Sequence, residues 1–230
     1  MPSGMHSRNH DVPEASLRRL PIYYRRLQEM ALENVTQVSC ADLARGLALD
    51  PTLVRKDVET TGIVGKPRIG YPLSELLHQI ESFLGWNRPK GAVLAGTGSL
   101  GSALLGYDQF RSHGMEIVAA FDNDREKVGR RVHGRAVQPL ELLPDFVRRT
   151  HVLLGVIATP AKAAQSVADL MIEAGIRAIW NFAPAHIAVP KEVILQNEDL
   201  YHSLASLSFK LERHMTKRPL ESETIYAQDN

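Results

Sequence analysis

Apolar positions in this chain recur first at helical spacing, then in short unbroken runs, then at helical spacing again. Leu20, Tyr23, Tyr24, Leu27, Met30 and Ala31 form the stripe of a helix over roughly residues 17–34, with Pro21 as its expected first turn. Ser39 followed by Asp42 is a capping box, and Leu43, Ala44 and Leu47 give a short second helix one buried face. Asp50 and Pro51 are a cap and first-position pair opening a third helix, through Leu53, Val54 and Val58, that Gly62 ends. Residues 62–71 mix glycines with Ile63, Val64, Ile69 and the cations Lys66 and Arg68, which predicts a short hairpin with an exposed tip, a wing. A fourth helix is expected over 72–86, and Asn87-Arg88-Pro89 reads as a hinge.

Beyond the hinge, runs at 91–96, 116–122, 152–159 and 176–182 are apolar almost throughout, as parallel strands covered on both faces are. Helices alternate with them, so the pattern predicts an α/β, doubly wound Rossmann sheet. An apolar helix over 200–211 and a polar tail close the chain. The expected organisation is a winged-helix domain over 1–88, a Rossmann domain over 89–198, and a helix with its tail over 199–230.

The chain has 230 residues, 44% of them apolar, with a formal net charge of +1. That near-neutrality excludes the strong overall basicity of a general nucleic-acid binder, so any basic surface must be local. No run approaches the ~18 apolar residues of a membrane span, and residues 1–10 lack the apolar core of a signal peptide, so a cytoplasmic location is expected. A single cysteine, Cys40, allows neither an intrachain disulfide nor a multi-cysteine zinc site, and reads as a core residue. The nine histidines show no metal-ligand spacing.

Gly96-Thr97-Gly98-Ser99-Leu100-Gly101 matches GxGxxG, follows an apolar strand and opens a helix bearing Leu104 and Leu105. In that context Gly96 makes the tight turn, Gly98 admits a pyrophosphate to the backbone, and Gly101 lets helix pack on strand, while the helix N-terminus offers free amides. Asp122 ends the next strand, where a carboxylate accepts ribose hydroxyls and repels a 2′-phosphate. NAD and NADH are therefore expected over NADP(H), with Asn123 and Lys127 alongside. Arg125 and Lys127 argue the other way, since they could hold that phosphate. Ala158-Thr159-Pro160 and Asn181-Phe182 end two further strands, where ligands sit in such sheets, and Tyr107 lies near the same edge.

A dehydrogenase also needs an acid or base beside the nicotinamide and a pocket for its second substrate. Neither is evident, with His186 and Tyr107 the only candidates, so the chain is expected not to be an enzyme. The alternative is a small NAD-dependent oxidoreductase with an N-terminal interaction module. The helical trio favours DNA: Thr52, Arg55, Lys56 and Glu59 fall opposite Leu53, Val54 and Val58, as on a recognition helix. Ser39, Lys66 and Arg68 complete the expected DNA-binding set, and Arg18, Arg19, Arg25 and Arg26 add charge on the first helix. Over residues 1–71 ten Lys or Arg face eight Asp or Glu, so clustering rather than total charge carries this reading.

Taken together, the chain resembles the Rex family of redox-sensing transcriptional repressors from about Arg19 to Leu211. The resemblance lies in Arg19-Leu20 with Tyr23-Tyr24, Val54-Arg55-Lys56-Asp57, Gly65-Lys66, Ile69-Gly70-Tyr71, Gly96 to Leu104, Ala120-Phe121-Asp122-Asn123-Asp124, Lys127-Val128-Gly129, Thr159-Pro160-Ala161 and Asn181-Phe182-Ala183-Pro184. It implies a homodimer whose winged helices bind palindromic double-stranded operator DNA and whose Rossmann domains sense NADH against NAD. NADH would close the dimer and release the operator. The last helix would be exchanged between subunits, and Arg25, Tyr107 and Asp199 would form a cofactor-responsive polar network. Two stretches depart from the family pattern: Val58 to Val64, which lacks its aromatic pair before glycine, and the wing at Pro67. The operator sequence is correspondingly open.

Overall fold

The structure, a computed structural model, describes residues 12–217. The polar tail expected from Arg218 onward lies outside them. The chain folds into two compact units, one drawn from the chain up to Pro89 with Gln109–Met115, the other from Lys90–Asp108 and from Glu116 onward.

In the first unit, α1 spans Glu14–Leu32 and starts earlier than the spacing predicted, behind Pro13. Pro21 is therefore inside the helix, on its exposed side, rather than in its first turn. Strand β1 (Gln37–Val38) leads into α2 (Cys40–Leu47), whose Ser39 cap is the expected capping box: the hydroxyl accepts from Asp42 N at 3.1 Å. Helix α3 (Pro51–Thr60) begins behind Asp50, whose Oδ1 accepts from Thr52 N and Leu53 N. Strand β2 (Tyr71–Pro72) pairs antiparallel with β1, and α4 spans Leu73–Leu84. The core joins Leu20, Tyr23 and Leu27 of α1 to Val54 and Val58 of α3 and Leu76 and Ile80 of α4, all essentially inaccessible. The wing is the short hairpin expected, closed by one antiparallel bridge, Lys66 to Gly70, with residues 66–69 exposed at its tip. Rings from three segments meet edge to face in this unit: Trp86 lies 5.2 Å from Tyr24 and 4.4 Å from His113.

The second unit begins with β3 (Lys90–Ala95) and α5 (Ser99–Leu105); α6 (Gln109–Ser112) belongs to the first. There follow β4 (Met115–Asp122), β5 (Arg131–Val132), β6 (Arg135–Pro139), α7 (Leu143–Thr150), β7 (Leu154–Ile157), α8 (Ala161–Ala174), β8 (Ala178–Asn181), β9 (Ile194–Asn197) and α9 (Leu200–Lys217). The seven strands lie in the order β5-β6-β4-β3-β7-β8-β9, with β5 antiparallel to β6. Without β5 that order is the 3-2-1-4-5-6 arrangement of a doubly wound dinucleotide fold, whose switch point falls between β3 and β7. Val93, Phe121, Ile157, Val167, Met171 and Ile179 fill its core.

Candidate functional site

The switch point is where the glycine loop sits. Gly96 has φ +94°, and a Cβ on it would lie 2.5 Å from the Ala158 carbonyl oxygen, so this turn accepts no side chain. At Gly101 a Cβ would stand 1.9 Å from the Gly96 carbonyl oxygen, which fixes the close approach of α5 to its own loop. Gly98 differs from both. Nothing lies within 4 Å of the place where its Cβ would be, so the space over the loop and over the free amides of α5 is open.

Asp122 closes the loop from β4. Its Oδ2 accepts from Thr97 N and Thr97 Oγ1, both at 2.8 Å, and its Oδ1 accepts from Asp124 N at 3.0 Å. Burial alone would push this carboxyl up, but those bonds and the nearby Lys127 ammonium outweigh it and hold it below the usual carboxylate range. Oδ1 keeps room for one further donor. Lys127 lies 3.3 Å from Asp122 and 3.5 Å from Asp124, so its charge is already paired with two carboxylates, while Arg125 and Asn123 are exposed.

A groove of about 450 Å³ brings together Gly96, Gly98, Ser99, Leu100, Asp122, Asn123, Lys127, Ala158, Thr159, Pro160 and Phe182. The hydroxyl of Thr159 is buried in its wall without any hydrogen-bond partner. A second cavity of about 710 Å³ shares Leu100 and Phe182 with it and extends past Asn181, His186 and Asp199 to Tyr201 and Leu204 of α9. Asn181 lines this cavity, but its amide is committed locally, donating to Ala185 O at 3.0 Å and Asn197 Oδ1 at 2.9 Å while accepting from Ala183 N at 3.0 Å. It holds the turn after β8 in shape. The Phe182 ring packs 4.7 Å from Trp180. Asp199 caps α9, its Oδ1 accepting from Tyr201 N and His202 N, and Tyr107 is half exposed.

In the first unit Thr52, Arg55, Lys56 and Glu59 are all exposed on α3, and Lys66 and Arg68 are exposed on the wing. The hydroxyl of Ser39 is taken by its cap, donating to Asp42 Oδ2 at 2.6 Å. The first-helix arginines are not equivalent. Arg25 is exposed, Arg18 pairs with Glu14, Arg26 pairs with Glu29, and Arg19 is partly buried and paired inward. Its guanidinium grips Asp57, a carboxylate only 2% exposed on the inner side of α3 that also accepts from Tyr23 and Ser16. Spacing could not single out this group, because a charged residue one position after Lys56 looks like part of the solvated face.

Among the described residues no helix is long and apolar enough to cross a membrane, and no cluster of metal-ligating side chains occurs. A family model described as "CoA binding domain" matches residues 87–185, and one described as "Putative DNA-binding protein N-terminus" matches residues 11–58. Redox-sensing transcriptional repressors named Rex are similar over nearly their whole length. The one from Treponema denticola is 44% identical, covering 85% of this chain and 94% of its own; that from Desulforamulus reducens is 41% identical, covering 87% and 95%. Among solved structures, the repressor RSP in complex with β-NAD+ and operator DNA superposes with a TM-score of 0.85 at 32% identity, over 94% of this chain and 99% of its own. RSP in complex with β-NADH gives 0.80 at 32% identity, over 90% and 98%. With this level of identity over both units, the chain belongs to the Rex family of redox-sensing transcriptional repressors.

Proposed function

We propose that this protein represses transcription as a homodimer bound to palindromic operator DNA in the cytoplasm, and that it leaves the operator when NADH replaces NAD. The single observation carrying this is that one chain joins an exposed, basic recognition face on α3 to a Rossmann groove whose glycine loop and Asp122 suit a dinucleotide.

The residues present fit a dinucleotide. Gly98 leaves open the space a pyrophosphate needs, Oδ1 of Asp122 has room for a ribose hydroxyl, and the orphaned Thr159 hydroxyl lacks a partner that a ligand can supply. Gly96, Thr97, Ser99, Leu100 and Gly101 form the loop; Asn123, Lys127, Ala158, Pro160, Asn181, Phe182 and Tyr107 complete the site. A phosphate on the adenosine ribose would meet Asp122 and Asp124, with Lys127 already paired, which favours NAD(H) over NADP(H) and over coenzyme A. NAD and NADH differ in the charge and planarity of the nicotinamide. A switch then needs only unequal binding of the two by the operator-competent state, because a ligand shifts an equilibrium by its differential affinity alone.

On the DNA side, Arg55 and Lys56 read base edges and phosphates, Thr52, Glu59 and Ser39 flank them, and Lys66 and Arg68 follow on the wing. Helix α9 supports the dimer: Tyr201, Leu204, Leu207, Phe209, Leu211 and Met215 are each more than half exposed, a surface that exchange of this helix with a second copy would cover. The resemblance to the family makes Arg25, Tyr107 and Asp199 the groups that would respond to cofactor state. Gel-shift titration against genomic fragments tests the proposal: micromolar NADH, but not NAD, should dissolve a specific complex, and absence of any specific complex at low salt contradicts it.

A further inference from the structure

The last turn of α3 carries a carboxylate that the helix does not ask for. Between residues 51 and 71 the only acidic side chains are Asp57, which is buried and paired, and Glu59, which is exposed. Among the described residues the Glu59 carboxylate makes no hydrogen bond or ion pair. It stands one residue from the end of α3, where the helix dipole favours a cation and opposes a negative charge. Arg55 precedes it by four residues, the weaker order for a helical ion pair, and no such pair forms. The turn is nonetheless fixed. Val58 is fully buried, the Thr60 hydroxyl donates to the Asp57 carbonyl, the Thr61 hydroxyl donates to the Val58 carbonyl at 2.7 Å, and Gln79 of α4 donates to the Thr61 carbonyl. Both threonine hydroxyls are turned back on the helix, which leaves Glu59 as the exposed ionised acceptor of this turn.

We infer that Glu59 reads a cytosine in each half-site, its carboxylate accepting from the N4 amino group in the major groove. The inference rests on the reading that α3 binds the operator. Thr52, Arg55, Lys56 and Glu59 follow one another at spacings of three and four, so they share one stripe of the helix. Arg55 and Lys56 gain from phosphates whatever the sequence, whereas a carboxylate is repelled by every phosphate and gains only where a base presents a donor. Two bases do so in the major groove, cytosine through N4 and adenine through N6. Beside adenine N6 lies the N7 acceptor, which repels a second carboxylate oxygen, and guanine and thymine present acceptors where cytosine presents its donor. Glu59 therefore rejects three of the four bases, and its penalty against the phosphates is offset by the two cations beside it.

The test uses the full-length protein and an operator duplex selected from genomic fragments, with every base pair of the half-site changed in turn to the other three. Fluorescence anisotropy at one salt concentration should show a position where the native protein binds C·G at least about five-fold more tightly than any other pair. Replacing the opposing guanine there by 7-deazaguanine removes the N7 acceptor that an arginine or lysine would use and keeps the cytosine amino group, so native binding should hold. Glu59→Ala should lose the preference at that position alone and bind the non-preferred duplexes at least as tightly as the native protein does. Glu59→Gln, whose amide matches adenine N6 and N7 together, should prefer A·T there. Both variants should melt no lower than the native protein, because the charge opposed by the helix dipole is gone. The inference is overturned if both variants keep the native ranking at every position, which marks a carboxylate that only repels phosphates, or if 7-deazaguanine abolishes the preference, which marks a cation reading guanine. Failure of the underlying DNA reading is distinct: no specific complex would form with any duplex.

Discussion

Arg19 donates from Nε to Asp57 Oδ2 at 2.6 Å and from Nη2 to Asp57 Oδ1 at 2.8 Å, a two-bond ion pair that ties α1 to the inner side of the recognition helix. Tyr23 and Ser16 add hydroxyl donors at 2.6 and 2.7 Å, so the buried carboxylate is fully served. Such a pair adds little over a well-packed apolar core, but removing one member leaves the other charge stranded. Its value is positional: the face bearing Arg55 and Lys56 is held at one rotation about the axis of α3.

Asp57→Asn should therefore cost the DNA-binding unit about 3 kcal/mol and abolish operator binding. Dinucleotide binding, measured by calorimetry on the same protein, should persist, since its residues belong to the other unit. An unchanged urea midpoint would show that the pair is dispensable.

The pH dependence of stability follows from the same carboxylate and from Asp122. Burial would raise both, but their hydrogen bonds and the adjacent cations Arg19 and Lys127 outweigh it, so each is held below the ordinary carboxylate range. A carboxyl that ionises more readily folded than unfolded adds stability above its unfolded pKa and loses it as pH falls through the folded value. Thermal melts should be flat above about pH 5 and fall below about pH 4, and Asp57→Asn should blunt the fall.

Gly98 and Gly101 separate folding from binding. A Cβ at Gly101 would collide with the Gly96 carbonyl oxygen at 1.9 Å, so Gly101→Ala should lower the melting temperature and NADH affinity together. At Gly98 nothing lies within 4 Å, so Gly98→Ala should melt close to the native protein yet bind NADH roughly ten-fold or more weakly. Native affinity in Gly98→Ala would move the pyrophosphate elsewhere.

Helix α9 should prove to be an assembly element. Replacing both Leu204 and Leu207 by Glu places two charges on a surface more than half exposed in one chain, so the fold survives while a covered dimer interface does not. Light scattering should report loss of the dimer, and a dimer that persists would assign the contact to another surface.

The legible features were those whose chemistry is local. The Ser39 capping box, the Asp50-Pro51 start and the GxGxxG turn each bring their hydrogen-bonding logic within a few residues, and each forms at its own position. What the sequence concealed depends on partners far along the chain. Asp57 looks solvated until Ser16, Arg19 and Tyr23, some forty residues earlier, fold onto it. Strands β1 and β2 have two residues each, and the edge strand β9 is mostly exposed, so none shows an apolar run. Pro21 misplaced the start of α1 because proline on an exposed helix side resembles a first-turn proline.

Thr159 supplies the sharpest test of the groove. A buried hydroxyl without a partner costs about 1–3 kcal/mol, and valine has the same shape without the polar atom. If the hydroxyl is kept for a ligand, Thr159→Val should stabilise the ligand-free protein by about 1 kcal/mol while weakening NADH by a similar amount, roughly five-fold. The two effects have opposite signs, which no purely structural role produces: a hydroxyl serving the fold would lower the melting temperature when removed, and one serving nothing would leave NADH affinity unchanged. Melting curves with and without saturating NADH read both at once, because the ligand-induced rise in melting temperature should shrink in the variant while its ligand-free value climbs.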